Sequence, residues 1–531
     1  MPIFSPFSRT LLRTSVLLAA VILASANVLA QTLARPGWAG SGMTTESWWR
    51  NGVFYHIDVR GFQDSNGDGT GDLAGIANRM QYLQTLGVDA IVLDNLGDPA
   101  HSDAGFADIL RAALPRHIRV LVMLSDTPND SDDNVAAQAR LWLTRGAAGI
   151  YLRSTRSTQE VAPLLHLIRK LTDGFPGSRI LLSQTATNPA PSSIRTIDLD
   201  DSTPHTSRST VSYLNGAQLT AVPLELTNAT AKTIRAALNG INGSSSASLF
   251  LTEEMFSTKE ILAPANRAAL DGRRRAFALV LLASRGGAAM RYGQEIGMFP
   301  TEIAADAPIM QWTPTNITTP PKPSPAPESK PHSAPTPIPT RSDVYGTYKP
   351  YVPQPLKLPK PPGEEGAPAP TTTVTAAPID IAPPVGPNEL PGFTTGKLPG
   401  PLEADADKLN VATENADPDS LLNLYRRLIQ LHHGYPSLRN GQEVLLDFDG
   451  LGALVWVRQP NPGSGSTAVI AVCNLSGAPL HLSLDQELTQ HHIHTGSLRN
   501  LLSNIATPLS VQDTGNLTLP AYGVFLGELY H

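Results

Sequence analysis

The sequence predicts an α/β protein, a parallel sheet covered by helices, followed by a small all-β domain. Three observations carry this. Val/Ile/Leu-rich runs alternate with amphipathic stretches between residues 53 and 292, a Pro-rich tract breaks the chain at 314–391, and beyond about Asn440 only short β-like runs remain. With 531 residues the chain has room for a large domain and a smaller one. Its net charge of -6, with Lys and Arg scattered, argues against a nucleic-acid surface.

Taken in order, the N-terminus carries Arg9 and Arg13 before an apolar run from Val16 to Ala24. Val28-Leu29-Ala30 then places small residues at a cleavage spacing. This predicts a secretory signal peptide over 1–30, a short lead at 31–44, and a periplasmic or secreted bacterial protein. The apolar run is short for a membrane span, although an uncleaved anchor is the alternative. VFYHIDV (53–59) reads as the first strand. Ile76, Met80, Leu83 and Leu86 then mark one helical face. The alternation continues through VDAIVLDN (88–95), RVLVML (119–124), a helix over 135–144, GIYL (149–152), a helix over 161–172 and RILLS (179–183). A helix around 267–285 and a strand near 288–292 complete it.

Residues 314–391 hold 23 of the 47 prolines, so this stretch cannot bury enough apolar surface to order itself and reads as an extended insert. Helical periodicity resumes at Ser420 with Leu421, Leu424, Tyr425, Leu428 and Leu431. After it, EVLLDF, ALVWVRQ, TAVIAVCNL, PLHLSL and LTLPAYGVFLGEL predict an antiparallel sandwich. The single Cys473, in an apolar run, reads as a buried small hydrophobe and excludes an internal disulfide. The trio His491, His492 and His494 lacks a convincing fourth ligand and reads as a solvated rim.

Asp64, Asn66, Asp68, Thr70 and Asp72 alternate in D-S-N-G-D-G-T-G-D. Oxygen ligands at two-residue spacing, with glycines allowing a tight wrap, suit a structural calcium ion, Thr70 contributing its carbonyl. An Asx-turn loop without an ion fits the same residues.

Several longer motifs occur together. WWRNGVFYHIDVRGFQDSNGDGTGDLAGI (48–76), GVDAIVL, RYGQEIGM (291–298), PIMQW (308–312), GFT (392–394) and DPDSLLNLYRRLIQL (417–431) resemble glycoside hydrolase family 13. The α-glucosidase, oligo-1,6-glucosidase and trehalose synthase branch is the most similar. The resemblance implies a (β/α)8 TIM barrel over 45–313, completed by 392–435, with a C-terminal β-sandwich over 436–531 and a site at the C-terminal strand ends. No room is left after Leu124 for the family's inserted B domain, nor is its sugar-contacting G-Y-D segment recognisable.

The same alignment places Arg153 where the family's nucleophilic Asp ends the fourth strand and Gln184 where its acid/base Glu ends the fifth. Glu254 stands at the seventh-strand acid. A guanidinium cannot attack an anomeric carbon, and Gln has no proton to donate. Tyr55, His56, Tyr151 and Glu253 are the remaining candidate sugar contacts. The expected function is that of a pseudoenzyme binding an α-glucan, an oligosaccharide or a protein partner. The rival expectation is an active α-glucosidase on malto- or isomalto-oligosaccharides, using displaced acids such as Asp58, Asp94, Asp126, Glu253 or Glu254.

Overall fold

The structure, a computed structural model, describes residues 48–97, 99–185, 217–225, 230–242, 247–253, 264–298, 308–314, 392–398, 406–493, 497–503 and 511–530. The signal segment, nearly all of the Pro-rich insert, Glu254 and His494 lie outside them.

Eight strands close a parallel barrel in sequence order: β1 (Val53–Asp58), β2 (Ala90–Asp94), β3 (Arg119–Asp126), β4 (Gly149–Ser154), β5 (Ile180–Thr185), β6 (Leu219–Glu225), β7 (Ala247–Glu253) and β8 (Gly287–Arg291). β8 returns to β1 with His56 beside Arg291, so the sheet has no edge. Side chains alternate across each strand. Phe54, Val92, Leu121, Met123, Tyr151, Ile180, Leu182 and Ala221 fill the interior, above Trp48 and Trp49 at its floor. Tyr55, Ile57, Ile91, Leu93, Val122, Ile150 and Leu152 face the helices.

Those helices are α1 (Val59–Phe62), α2 (Leu73–Asn78), α3 (Met80–Leu86), α4 (Pro99–Ala113), α5 (Asp132–Thr144), α6 (Thr158–Gly174), α7 (Ala231–Asn242), α8 (Pro264–Ala283), α9 (Val411–Ala416) and α10 (Leu421–Gly434). The expected helix over 75–86 is two, broken at Arg79, whose amide bonds the carbonyls of Gly75 and Ile76. α6 begins with a capping box: Ser157 and Glu160 each accept from the other's backbone amide, satisfying two donors at the helix start. Five residues separate β3 from α5, so no domain is inserted there.

The C-terminal domain packs a six-stranded antiparallel sheet, β9 (Gln442–Leu446), β10 (Ala453–Gln459), β11 (Val469–Asn474), β13 (Ser497–Ser503), β14 (Val511–Asp513) and β16 (Val524–Tyr530), against the pair β12 (Leu480–Leu482) and β15 (Leu517–Leu519). Phe448, Val455, Val457, Ile470, Leu498 and Phe525 lie in the core between them. Trp456, on β10 (Ala453–Gln459), donates its indole N–H to Ala283 O at the end of α8 (3.1 Å). Arg285 N donates to Glu443 Oε2 (2.7 Å), and Arg458 holds that carboxylate at 3.5 Å. This ties sandwich to barrel. Cys473 is fully buried and burial pushes its thiol up, which leaves it inert.

Beneath the rim, Glu295 is enclosed behind the barrel wall. Tyr55 and Tyr82 both donate to its Oε1 (2.6 and 2.5 Å), and burial raises its pKa. Truncation by Glu295→Ala strands two buried hydroxyls, a cost of about 3 kcal/mol. Glu295→Gln keeps an acceptor and should cost clearly less, as urea denaturation will read. Nearby Glu414 is pushed up to about 7, burial outweighing the Leu422 amide it accepts from. Because its folded pKa lies above the ordinary 4.5, its contribution is full below that pH and is lost as pH rises through about 7. Glu414→Gln therefore flattens the decline in stability across that window.

Candidate functional site

The last inward positions of the strands meet at the barrel mouth. Asp94, at the end of β2, is the centre of the cluster. Arg153 Nη2 donates to its Oδ2 at 3.3 Å and His56 Nε2 stands 3.5 Å from the same oxygen. Arg153 Nη2 also reaches Ser125 Oγ at 3.4 Å, while its side chain remains 46% exposed. Burial works against ionisation of Asp94. His56 and Arg153 outweigh it, so the carboxyl titrates below its usual range. On the adjoining wall Tyr151 donates its hydroxyl to Gln184 Oε1 (2.8 Å), and Arg153 and Gln184 are in register between β4 and β5.

The other carboxylates at the ends of β1 and β3 are also engaged. Arg60 grips both oxygens of Asp58 (2.8–3.1 Å), and Asn95 donates to Oδ2 as well (2.7 Å). Asp126 points the other way, buried among Ser154 and Arg156. Among the described residues, the displaced-acid candidates on the first three strands are each paired with a cation. Asp94, held below the usual carboxylate range by His56 and Arg153, cannot deliver a proton near neutral pH.

Of the expected sugar contacts, His56 and Tyr151 stand at the mouth, together with Arg153 and Gln184 from the expected catalytic positions. Tyr55 is a correction: it lies on the opposite face of β1, fully buried, its hydroxyl on Glu295. Adjacent residues on a strand face opposite ways, so the His56 side excludes Tyr55. Glu253 ends β7, and the register pairs it with Glu225 at the end of β6. Glu225 escaped the sequence reading because Pro223 weakens the LTAVPLE run as a strand. Arg291 was missed too. It ends β8 beside His56, on the same inward face as Ala289.

The acidic loop after α1 is closed by its own hydrogen bonds. Asp64 Oδ1 accepts from the amides of Asn66 (3.0 Å) and Gly67 (2.7 Å). Its Oδ2 accepts from Gly69 N (2.7 Å) and the Thr394 hydroxyl. Gly67 and Gly69 take φ of 84° and 94°, the left-handed turns that bring those amides inward. Asp72 caps α2 through Gly75 N (2.7 Å) and binds Ser65, while Asn66, Asp68 and Thr70 bond among themselves. A carboxylate offers about four acceptor sites, and in this arrangement Asp64 has used them. No group of three or more His, Cys, Asp or Glu forms a metal-ligand set among the described residues. His491 and His492 are exposed.

With the geometry in place, comparison with known proteins is direct. Residues 57–108 match the alpha-amylase catalytic-domain family. Oligo-1,6-glucosidase of Halalkalibacterium halodurans is 50% identical over 64 residues, 12% of this chain and 11% of that protein. Trehalose-6-phosphate hydrolase of Escherichia coli is 56% identical over 46 residues, 9% of this chain and 8% of that protein. The matched segment thus spans about a tenth of these curated relatives. Solved structures align over nearly the whole chain. An alpha-glucosyl transfer enzyme superposes at TM-score 0.59 with 17% identity, covering 91% of this chain and 99% of its own. Isomaltulose synthase of Erwinia rhapontici does so at 0.59 with 13% identity, covering 92% and 100%. Residues 57–108 thus carry alpha-amylase catalytic-domain sequence, and the fold, a barrel with a C-terminal sandwich, is the one these solved enzymes share.

Two outcomes follow. Asp94→Ala removes the only carboxylate that holds Arg153 among the described residues, so Arg153 should gain mobility in crystallographic or NMR order measurements while the barrel still folds. For the loop, calcium is a proposal, since an ion must displace donors already present. If it binds, added calcium raises Tm by a few degrees and Asp68→Ala abolishes the rise. Equal Tm in calcium and in chelator rejects it.

Proposed function

We propose that this protein is a carbohydrate-binding relative of the α-glucosidases that has given up hydrolysis of glycosidic bonds. One observation carries the reading: the strand-end positions of the expected nucleophile and acid/base hold Arg153 and Gln184, locked to Asp94 and Tyr151. Retaining hydrolysis needs two carboxyl groups about 5 Å apart across the scissile bond, one as nucleophile and one as acid. A guanidinium at the first position adds positive charge where an oxocarbenium ion develops, which opposes the reaction. Tyr151, Gln184 and His56 retain the hydrogen-bonding capacity that sugar hydroxyls need. With no domain inserted between β3 and α5, the mouth lacks one wall and suits a chain of sugars better than a closed pocket would. The N-terminal Arg-flanked apolar run supports export, which would expose this mouth to extracytoplasmic glycans.

A second reading rests on the register pairing of Glu225 with Glu253, since neighbouring strands stand about 4.8 Å apart. The register sets these two residues on neighbouring strands of one wall, whereas the chemistry needs carboxylates on opposite sides of the bond.

The test is a blank-controlled assay of glucose release from maltose and isomaltose by the purified protein, beside Glu225→Gln, Glu253→Gln and Glu254→Gln variants. No release above the blank is expected. Turnover that falls about a hundredfold or more in any variant overturns the non-catalytic reading.

A further inference from the structure

We propose that the saccharide this mouth takes is acidic, a uronic-acid sugar whose carboxylate lies against Arg153. This rests on the carbohydrate-binding reading above and names the ligand class of the same site.

Arg153 is the strongest argument. It has neutral or anionic company on one nitrogen only: Nη2 meets Asp94 Oδ2 and Ser125 Oγ, at the long distances of 3.3 and 3.4 Å. Among the described residues neither Nη1 nor Nε has a partner, and 46% of the side chain is exposed. The unused edge of a guanidinium is a planar fork that matches a carboxylate in two parallel hydrogen bonds.

The surroundings add charge of the same sign. Asp58 is taken up by Arg60 through both oxygens, so that pair is neutral. Asp94 must serve both Arg153 and His56. Arg291 then stands beside His56 in the β8–β1 register, and its Nε is enclosed without a hydrogen-bond partner among the described residues. Among the described residues on the arc from β8 through β1 to β4, Asp126 turns away to Arg156, and Asp58 and Asp94 are left facing the guanidiniums of Arg60, Arg153 and Arg291. A neutral glucoside leaves this excess uncompensated as it displaces water, whereas a carboxylate supplies the missing charge. Glu225 and Glu253 end β6 and β7 at other positions around the rim, residue types whose chemistry suits hydroxyls. A sugar acid carries both groups, one anionic and the rest hydroxyl.

Calorimetric titration of the whole protein with methyl α-D-glucuronoside and methyl α-D-glucoside isolates the carboxylate, since the two differ only at C6. The glucuronoside should bind at least about tenfold more tightly, a charge-assisted bidentate contact, and its affinity should fall as salt rises. Arg153→Gln should erase the preference. Should that variant fold poorly by its thermal transition, Arg291→Gln and the salt dependence of the unaltered protein give the same readout. Equal affinity for the two glycosides, or a preference that survives Arg153→Gln in a folded protein, overturns the acidic-sugar proposal and leaves carbohydrate binding standing. Tighter binding of methyl α-D-glucoside 6-phosphate also overturns it in favour of a phosphosugar. No heat with any of the three, checked by saturation-transfer NMR, overturns both readings together.

Discussion

Closure of the eight-stranded parallel barrel is the constraint on which the rest depends. Once β8 pairs with β1, every strand has one face in a confined interior and one against helices. Phe54, Leu121, Met123 and Leu182 fill that interior, so only the last inward residue of each strand reaches solvent. Whatever stands there is crowded together. That is how Asp94 and Arg153, 59 residues apart, come within hydrogen-bonding distance.

The same closure explains how polar groups divide between two environments. At the mouth, Asp94 is shared by Arg153 and His56, and Tyr151 holds Gln184. These are partners that keep side chains in place while leaving surface for a ligand. Behind the wall there is no such surface. Glu295 must take both tyrosine hydroxyls, and Asp126 is closed by Ser154 and Arg156. Buried polar atoms that lack partners cost more than their hydrogen bonds gain, so the outer layer is a structural network. The two sets sit one residue apart on β1, Tyr55 outside and His56 inside.

Much of the fold was legible in the chain because it rests on local periodicity. The runs at 53–59, 88–95, 119–124, 149–152 and 179–183 are strands within a residue or two at each end. The helices read over 135–144 and 161–172 began and ended near their apolar stripes, whereas α4 after the second strand was not read. β6 and α7 were not legible: Pro223 argued against a strand, and α7 has only Ile234, Leu238 and Ile241 as large apolar residues, though its apolar face is clear once located. In the sandwich, LTLPAYGVFLGEL is two strands, Leu517–Leu519 and Val524–Tyr530, turning at Pro520 and joining different sheets. Candidate site residues followed the same division. Arg153 and Gln184 were found because each lies near the end of a recognisable strand, while Arg291 opened the RYGQEIGM motif without being weighed as a site residue and Glu225 lay in no motif.

The sequence by itself determined the α/β alternation, the short link of five residues after β3, and the presence of Arg153 and Gln184 near the ends of two recognisable strands. Each is a property of a dozen consecutive residues, and backbone period and side-chain chemistry are enough to read it. Only the tertiary structure decided that Tyr55 belongs to the wall and His56 to the mouth, that Glu225 stands beside Glu253, and that Asp94 is the partner of Arg153. Those facts depend on strand register and on the hand and closure of the sheet. Register is settled by the packing of the whole barrel, and no local stretch of chain contains it.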